Sequence, residues 1–282
     1  MRRRDLLAAS LSVGGLSLAA SAVAQPSPAT PSSATPRAGA ASVPHRRLKS
    51  TLLFKSPQGW PNAIRAVPEG LWIGEQLTLE GQGVSNDAFL VDWTGKVLRQ
   101  VKNESKNTSG LGVGGGHLWF GANAAPNGIF RTDMNGRTIS HRQIPLGPAD
   151  NGGGCHGITY QDGKVYINAL RLHGILRVDA ETWQPEFLIP YTFSRTHELA
   201  WDNGALWMVT GTTGDEGRPG LAKYDAATGR LLETAEFVPG SADPHGLTMH
   251  NGELYGCDAG IHPGWPDRKS PGSGYVFKID FV

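Results

Sequence analysis

Short apolar runs separated by glycine, asparagine and aspartate recur along the chain from about residue 50. Runs of this length bounded by turn residues read as strands. Five segments align without gaps: Asn62-Ala63-Ile64, Ser109-Gly110-Leu111, His156-Gly157-Ile158, His197-Glu198-Leu199 and His245-Gly246-Leu247. Ten residues after each first position stands an aromatic (Trp72, Trp119, Tyr166, Trp207, Tyr255), and an aliphatic precedes each one. The segment starts are 47, 47, 41 and 48 residues apart. A third run in each repeat ends in Asp (Asp92, Asp133, Asp179, Asp225, Asp280), with a turn expected after most of them, and a fourth run follows, as in Glu186-Phe187-Leu188-Ile189. Four-stranded units of about 45 residues are the blades of a β-propeller. The pattern therefore predicts an all-β, five-bladed propeller. The fifth repeat stops after three strands at Val282, so the unmatched run Thr51–Lys55 is expected to supply its outer strand and close the ring. The aromatic column is expected to pack between blades.

Composition agrees. Of 282 residues 38 are Gly and 18% are charged. Glycine opposes helix interiors, which argues against a helical bundle. The absence of a G-X-Y period excludes collagen, and eight Trp with 39% hydrophobic residues exclude a disordered chain. Residues 1–24 read as a signal peptide: Arg2-Arg3-Arg4-Asp5-Leu6-Leu7 opens an apolar run that ends near Ala20, and Ala22-Val23-Ala24 suits cleavage. The adjacent arginines and Gly/Ala-rich run fit a twin-arginine leader, with an ordinary secretory signal as the alternative. The run is too short and too broken for a membrane span. Residues 25–48 are a Pro/Ala/Ser-rich linker and 49–282 the propeller domain. Residues 50–282 hold 19 basic and 24 acidic groups, a net charge of −5 that offers no nucleic-acid surface. A periplasmic or secreted monomer acting on a small molecule, with no membrane partner after signal removal, is expected.

In such a blade the start of strand one, the end of strand two and the loop to strand three share one face, called here the top. The innermost starts put Asn62, Ser109, His156, His197 and His245 around the channel. Imidazole binds zinc, copper or iron, and three protein ligands with an open position make a catalytic zinc layout. His156, His197 and His245 are therefore candidate ligands of a divalent transition metal, zinc first. Hydrogen-bonded channel histidines are the structural alternative. The next position is small in four repeats but Glu198 in the fourth, which makes Glu198 a candidate general base or partner of a metal-bound histidine. Glu75 and Asp258, at ends of second strands, are candidate proton carriers. Asn62, Ser109, Asn123, Arg171, His173, Arg195 and His262 are candidate substrate contacts. The longer top loops, about 76–87, 211–220 and 259–273, would wall the mouth. Cys155 and Cys257 stay open between a disulfide across the mouth, a metal-ligating or reactive Cys155, and two free thiols.

The blade texture, as in His156-Gly157-Ile158-Thr159 followed by Gly163-Lys164-Val165-Tyr166-Ile167, resembles the streptogramin lyases and the senescence-marker/gluconolactonase-like propellers over essentially residues 50–282. The resemblance implies a catalytic histidine near the mouth beside a divalent cation, and His245 after Asp243-Pro244 is the nearest match. The three histidines are also similar in arrangement to those that hold zinc in the propeller lyase of peptide amidation. Three readings follow: an exported metal-dependent lyase or hydrolase; a non-catalytic periplasmic binding propeller; and a lactonase-type hydrolase in which Glu75, Asn123 and Asp258 converge on calcium.

Overall fold

A computed structural model describes residues 43–77, 83–147, 153–211, 219–260, 267 and 269–282. These residues are all-β apart from isolated 3-10 turns such as Leu170–Leu172. The expected signal peptide lies outside the described residues.

Three repeats each form an antiparallel four-stranded sheet. The first holds β2 (Pro61–Val67), β3 (Gly70–Glu75), β4 (Asp87–Val91) and β5 (Val97–Lys102). The second holds β6 (Thr108–Gly114), β7 (His117–Ala122), β8 (Gly128–Thr132) and β9 (Thr138–Arg142). The third holds β10 (Cys155–Gln161), β11 (Lys164–Ala169), β12 (Gly174–Asp179) and β13 (Pro185–Pro190). The fourth repeat gives β14 (Arg195–Asp202), β15 (Ala205–Gly211), β16 (Gly220–Asp225) and β17 (Leu231–Phe237), and the fifth β18 (Gly246–His250), β19 (Glu253–Cys257) and β20 (Tyr275–Phe281).

The front strand, β1 (His45–Lys55), is longer than the run 51–55 and does two things. From Leu48 onward it pairs antiparallel with β20 as the fourth strand of the last repeat. Over His45–Leu48 it also pairs in parallel with β17, so the last two repeats form one eight-stranded sheet. Leu48, fully buried, has partners on both sides, Phe237 and Phe281.

The repeat columns explain the packing. Trp72, Trp119 and Trp207 are each at most 2% exposed and belong to apolar clusters that each join two successive repeats, so these three pack between repeats as expected. The Asp column closes the outer hairpins: Asp92 Oδ1 accepts from the amides of Thr94 and Lys96, and Asp225 Oδ1 from those of Ala227 and Thr228, at 2.7–3.1 Å. Asp133 and Asp179 do the same. These hydrogen bonds favour the charged form and lower all four carboxyl pKa values.

The first strands of the repeats pack against one another in sequence order, β2 on β6, β6 on β10, β10 on β14 and β14 on β18, and β18 packs on β2. Their backbones approach closely at the small column. A Cβ on Gly157 would lie 2.7 Å from the Glu198 Cα and from the His197 carbonyl oxygen. Gly157→Ala is accordingly expected to lower stability by about 1–3 kcal/mol, because backbone and not a flexible side chain would have to move. Denaturant midpoints check this, and a shift under about 0.5 kcal/mol would mean that the inner strands are not packed as described.

Candidate functional site at the channel mouth

In four repeats the column that begins each aligned segment falls at an irregularity of the first ladder. The register shifts between Pro61 and Ala63, Thr108 and Gly110, Cys155 and Ile158, and Thr196 and Leu199. Asn62, Ser109, His156 and His197 therefore stand outside regular pairing, and such bulges re-aim side chains. His245 precedes β18, with its amide bonded to the Cys257 carbonyl at 2.8 Å.

The three imidazoles do meet. The rings of His156 and His197 are stacked, centroids 4.4 Å apart and 16° between planes, and His197 meets His245 edge-on at 4.4 Å and 71°. His156 is held at both nitrogens. Nδ1 lies 2.9 Å from the Thr196 carbonyl, which can only accept, so Nδ1 carries the proton; Nε2 then accepts from Asn123 Nδ2 at 2.7 Å. Burial lowers the His156 pKa, the Arg195 charge adds to this, and the Thr196 carbonyl opposes it. The ring is a fixed, neutral wall.

The expected zinc, copper or iron site at His156, His197 and His245 does not fit this arrangement. The lone pair of His156 Nε2 already accepts a hydrogen bond, and nearly parallel stacked rings do not aim their nitrogens at one point about 2 Å from each. Among the described residues no group of three His, Cys, Asp or Glu side chains is arranged to hold an ion. Of the three groups named in the calcium reading, Glu75 bonds the amides of Gln58 and Trp60, Asn123 bonds His156, and Asp258 bonds Gly260 and Ser270. Both cysteines are free and buried, with the Cys155 thiol directed at the Gly157 carbonyl at 3.2 Å. Burial raises both thiol pKa values.

Glu198 turns inward beneath the histidines and is fully buried. Its carboxylate accepts from the amides of Leu111, Ile158 and Leu199 at 3.1, 2.7 and 3.2 Å. Arg65, from the first repeat, donates to the carbonyls of the same three residues at 3.1, 2.8 and 2.7 Å, with Nη2 3.7 Å from Glu198 Oε1. The inner edges of three repeats thus have their polar backbone groups satisfied by one ion pair, as buried backbone groups require. Burial raises the Glu198 carboxyl pKa, while the Arg65 charge and the three amides pull the other way and favour the charged form. This bonding explains why the small column is broken once. It also gives Glu198 a framework position below the mouth.

Glu75, fully buried, accepts from the amides of Gln58 and Trp60 at 3.1 and 2.9 Å and so fixes the chain entering β2. Burial pushes its carboxyl up to about 7, opposed by those amides and the Ser56 hydroxyl. The folded chain therefore binds this proton more tightly than the unfolded chain. The contribution to stability is complete below the ordinary Glu range near 4.5 and is lost as pH rises through about 7. Glu75→Gln is expected to flatten the decline in stability between about pH 5 and 8 by about 1–3 kcal/mol, read from urea midpoints across that range. An unchanged slope would reject the assignment.

Asp258 is fully buried. Its Oδ1 accepts from the Gly260 amide at 2.7 Å, its Oδ2 accepts from the Ser270 hydroxyl, and Oδ1 lies 3.7 Å from His245 Nδ1. Beside it, Arg195 Nη1 pairs with Asp243 Oδ1 at 2.7 Å and Nη2 reaches the Pro244 carbonyl at 3.3 Å, tying β14 to the segment that delivers His245. Asn62 donates to the Thr108 carbonyl and the Ser109 hydroxyl, each at 2.9 Å. Arg171 and His173 are exposed, on and just after the 3-10 turn. His262 lies outside the described residues. The sequence reading missed Arg65, Thr196 and Asp243. The Arg at strand level in the first repeat was the available signal for Arg65, and the Asp243-Pro244 step before His245 for Asp243.

No protein-family model matches the chain, and no curated protein matches it. Among solved structures it is similar to the glutaminyl cyclase of Myxococcus xanthus, at 11% identity and TM-score 0.58, covering 86% of this chain and 100% of that one. It also matches virginiamycin B lyase from Staphylococcus aureus, at 21% identity and TM-score 0.47 over 81% of this chain and 69% of that one. A further match is hydrazine synthase of Kuenenia stuttgartiensis, at 18% identity and TM-score 0.46 over 64% and 50%. The likeness to the cyclase is one of fold: the chain has the four-stranded sheets of a β-propeller. Fold alone leaves the activity to be argued from the site.

Proposed function

We propose that the chain is a five-bladed propeller, its ring closed through β1, exported to the periplasm or beyond as a monomer, and that it is a metal-free acid–base lyase or hydrolase for a small molecule bound at the channel mouth. Five first strands that pack in order and return from β18 to β2 support the ring. The observation that carries the activity is His245 beside the buried Asp258, with His197 edge-on to its ring. Asp258 favours the imidazolium that forms when His245 takes a proton, so Nε2 is the atom that meets the substrate, directly or through water. His197, stacked on the fixed ring of His156, holds the His245 ring in orientation. Asp258 acts through His245, and Asn62, Ser109, Asn123 and Arg195 shape the mouth around it.

Turnover of a panel of lactones and cyclic esters by protein stripped with chelator, together with its metal content, tests the reading. Turnover that survives chelation and is lost in His245→Ala is expected. Turnover that needs a stoichiometric ion would instead favour the three-histidine metal reading. Binding without turnover would favour a non-catalytic binding propeller.

A further inference from the structure

Two carboxamide oxygens in the first repeat have no partner. Asn62 is 2% exposed, and its Oδ1 makes no hydrogen bond; neither does the buried Gln76 Oε1. Their orientations are fixed from the other side. Asn62 Nδ2 donates to the Thr108 carbonyl and to Ser109 Oγ. The carbonyl can only accept, and the Ser109 hydroxyl already donates to the Asn107 carbonyl at 3.0 Å, so both need a donor and the amide cannot be turned over. Gln76 Nε2 donates to Asn107 Oδ1 at 2.7 Å. The two amide nitrogens thus face residues 107–109 of the next repeat, which leaves the two oxygens as the orphaned ends. The Gln76 amide bonds the Trp60 carbonyl, so both side chains hang from the same end of β2 and β3.

Buried acceptors almost always have partners, and one left unmade is unfavourable. Asn62 also occupies the column position that in three other repeats carries the mouth histidines, at a register shift where the ladder does not constrain it. Resting on the reading of the mouth as a small-molecule site, we propose that Asn62 Oδ1 and Gln76 Oε1 accept hydrogen bonds from the N–H groups of the bound molecule. The mouth then selects compounds bearing a primary amide or amine. A ligand without such a group would leave both oxygens unmet in the complex.

The probes are acetamide and N,N-dimethylacetamide, which share a carbonyl and differ in their N–H groups. Titration is followed on the side-chain amide resonances of isotopically labelled full-length protein. Acetamide is expected to move the Asn62 and Gln76 signals and to bind at least about tenfold more tightly than its dimethyl analogue. Asn62→Leu should abolish the preference; if that variant does not fold, Gln76→Met provides the same comparison. Equal binding of the two amides, no binding of acetamide up to its solubility limit, or a preference that survives the substitution would overturn the proposal. Selective acetamide binding in a protein without turnover would sink the acid–base reading and leave this one standing; turnover with no preference would do the reverse.

Discussion

Arg65→Ala is expected to destabilise the protein by about 3–5 kcal/mol, among the largest effects of any single change in the chain. The substitution removes the donor to the carbonyls of Leu111, Ile158 and Leu199 and leaves the Glu198 carboxylate buried without its counter-charge. Glu198→Ala should be comparably damaging for the opposite reason: three inner-strand amides lose their acceptor. What distinguishes the pair from two independent core residues is coupling. Most of the loss in either single variant is the penalty of an unpaired buried charge, so Arg65→Met combined with Glu198→Leu should be less destabilised than the sum of the singles by more than about 1 kcal/mol. Guanidinium midpoints of the four proteins close the cycle. Single effects that simply add, or that each fall below about 1 kcal/mol, would show that the axis is not held by this pair.

His245→Ala is expected to lower kcat by about 10²–10⁴-fold, the usual contribution of a positioned acid–base group. Asp258→Asn should lower kcat by a smaller factor, at least about tenfold, with KM little changed, because it weakens support for the imidazolium without removing the base. The asparagine retains an oxygen that can accept from Gly260 but loses the acceptor of the Ser270 hydroxyl, so the variant's denaturant midpoint is measured beside its kinetics. His156→Phe keeps a planar wall for His197 while losing the bonds to Thr196 and Asn123. Its activity should fall far less than that of His245→Ala. A three-histidine metal centre predicts equal losses for all three histidines, and steady-state kinetics on chelator-treated protein separate the two outcomes.

Much of the architecture was legible from spacing. The invariant interval of ten links each innermost start to an aromatic that is buried in three repeats to 2% exposure or less, and the terminal aspartates mark the turns they close. That the front run pairs with the last strand of the fifth repeat was legible too, although β1 begins at His45 and takes β17 as a second partner, which a run counted from Thr51 does not reveal. At the mouth, the shared column of His156, His197 and His245 did bring three imidazoles together. Their relative orientation was not legible. Whether three rings point at one ion or stack on one another depends on the register shifts in β10 and β14, and alignment between repeats carries no information about a bulge. Glu198 stood out by breaking the small column, yet the reason lay in amides 87 and 40 residues away in sequence.

The sequence by itself determined the strand pattern, the fivefold repeat, the turn residues and the identity of the side chains offered to the channel, because these follow from local periodicity and turn chemistry. The tertiary structure decided what those side chains do. Inner-strand backbone groups with no neighbour in their own sheet had to find partners where the repeats meet, and Arg65 with Glu198 supplied them. That bonding holds Glu198 in the framework and leaves His245, beside Asp258, as the imidazole backed by a buried carboxylate.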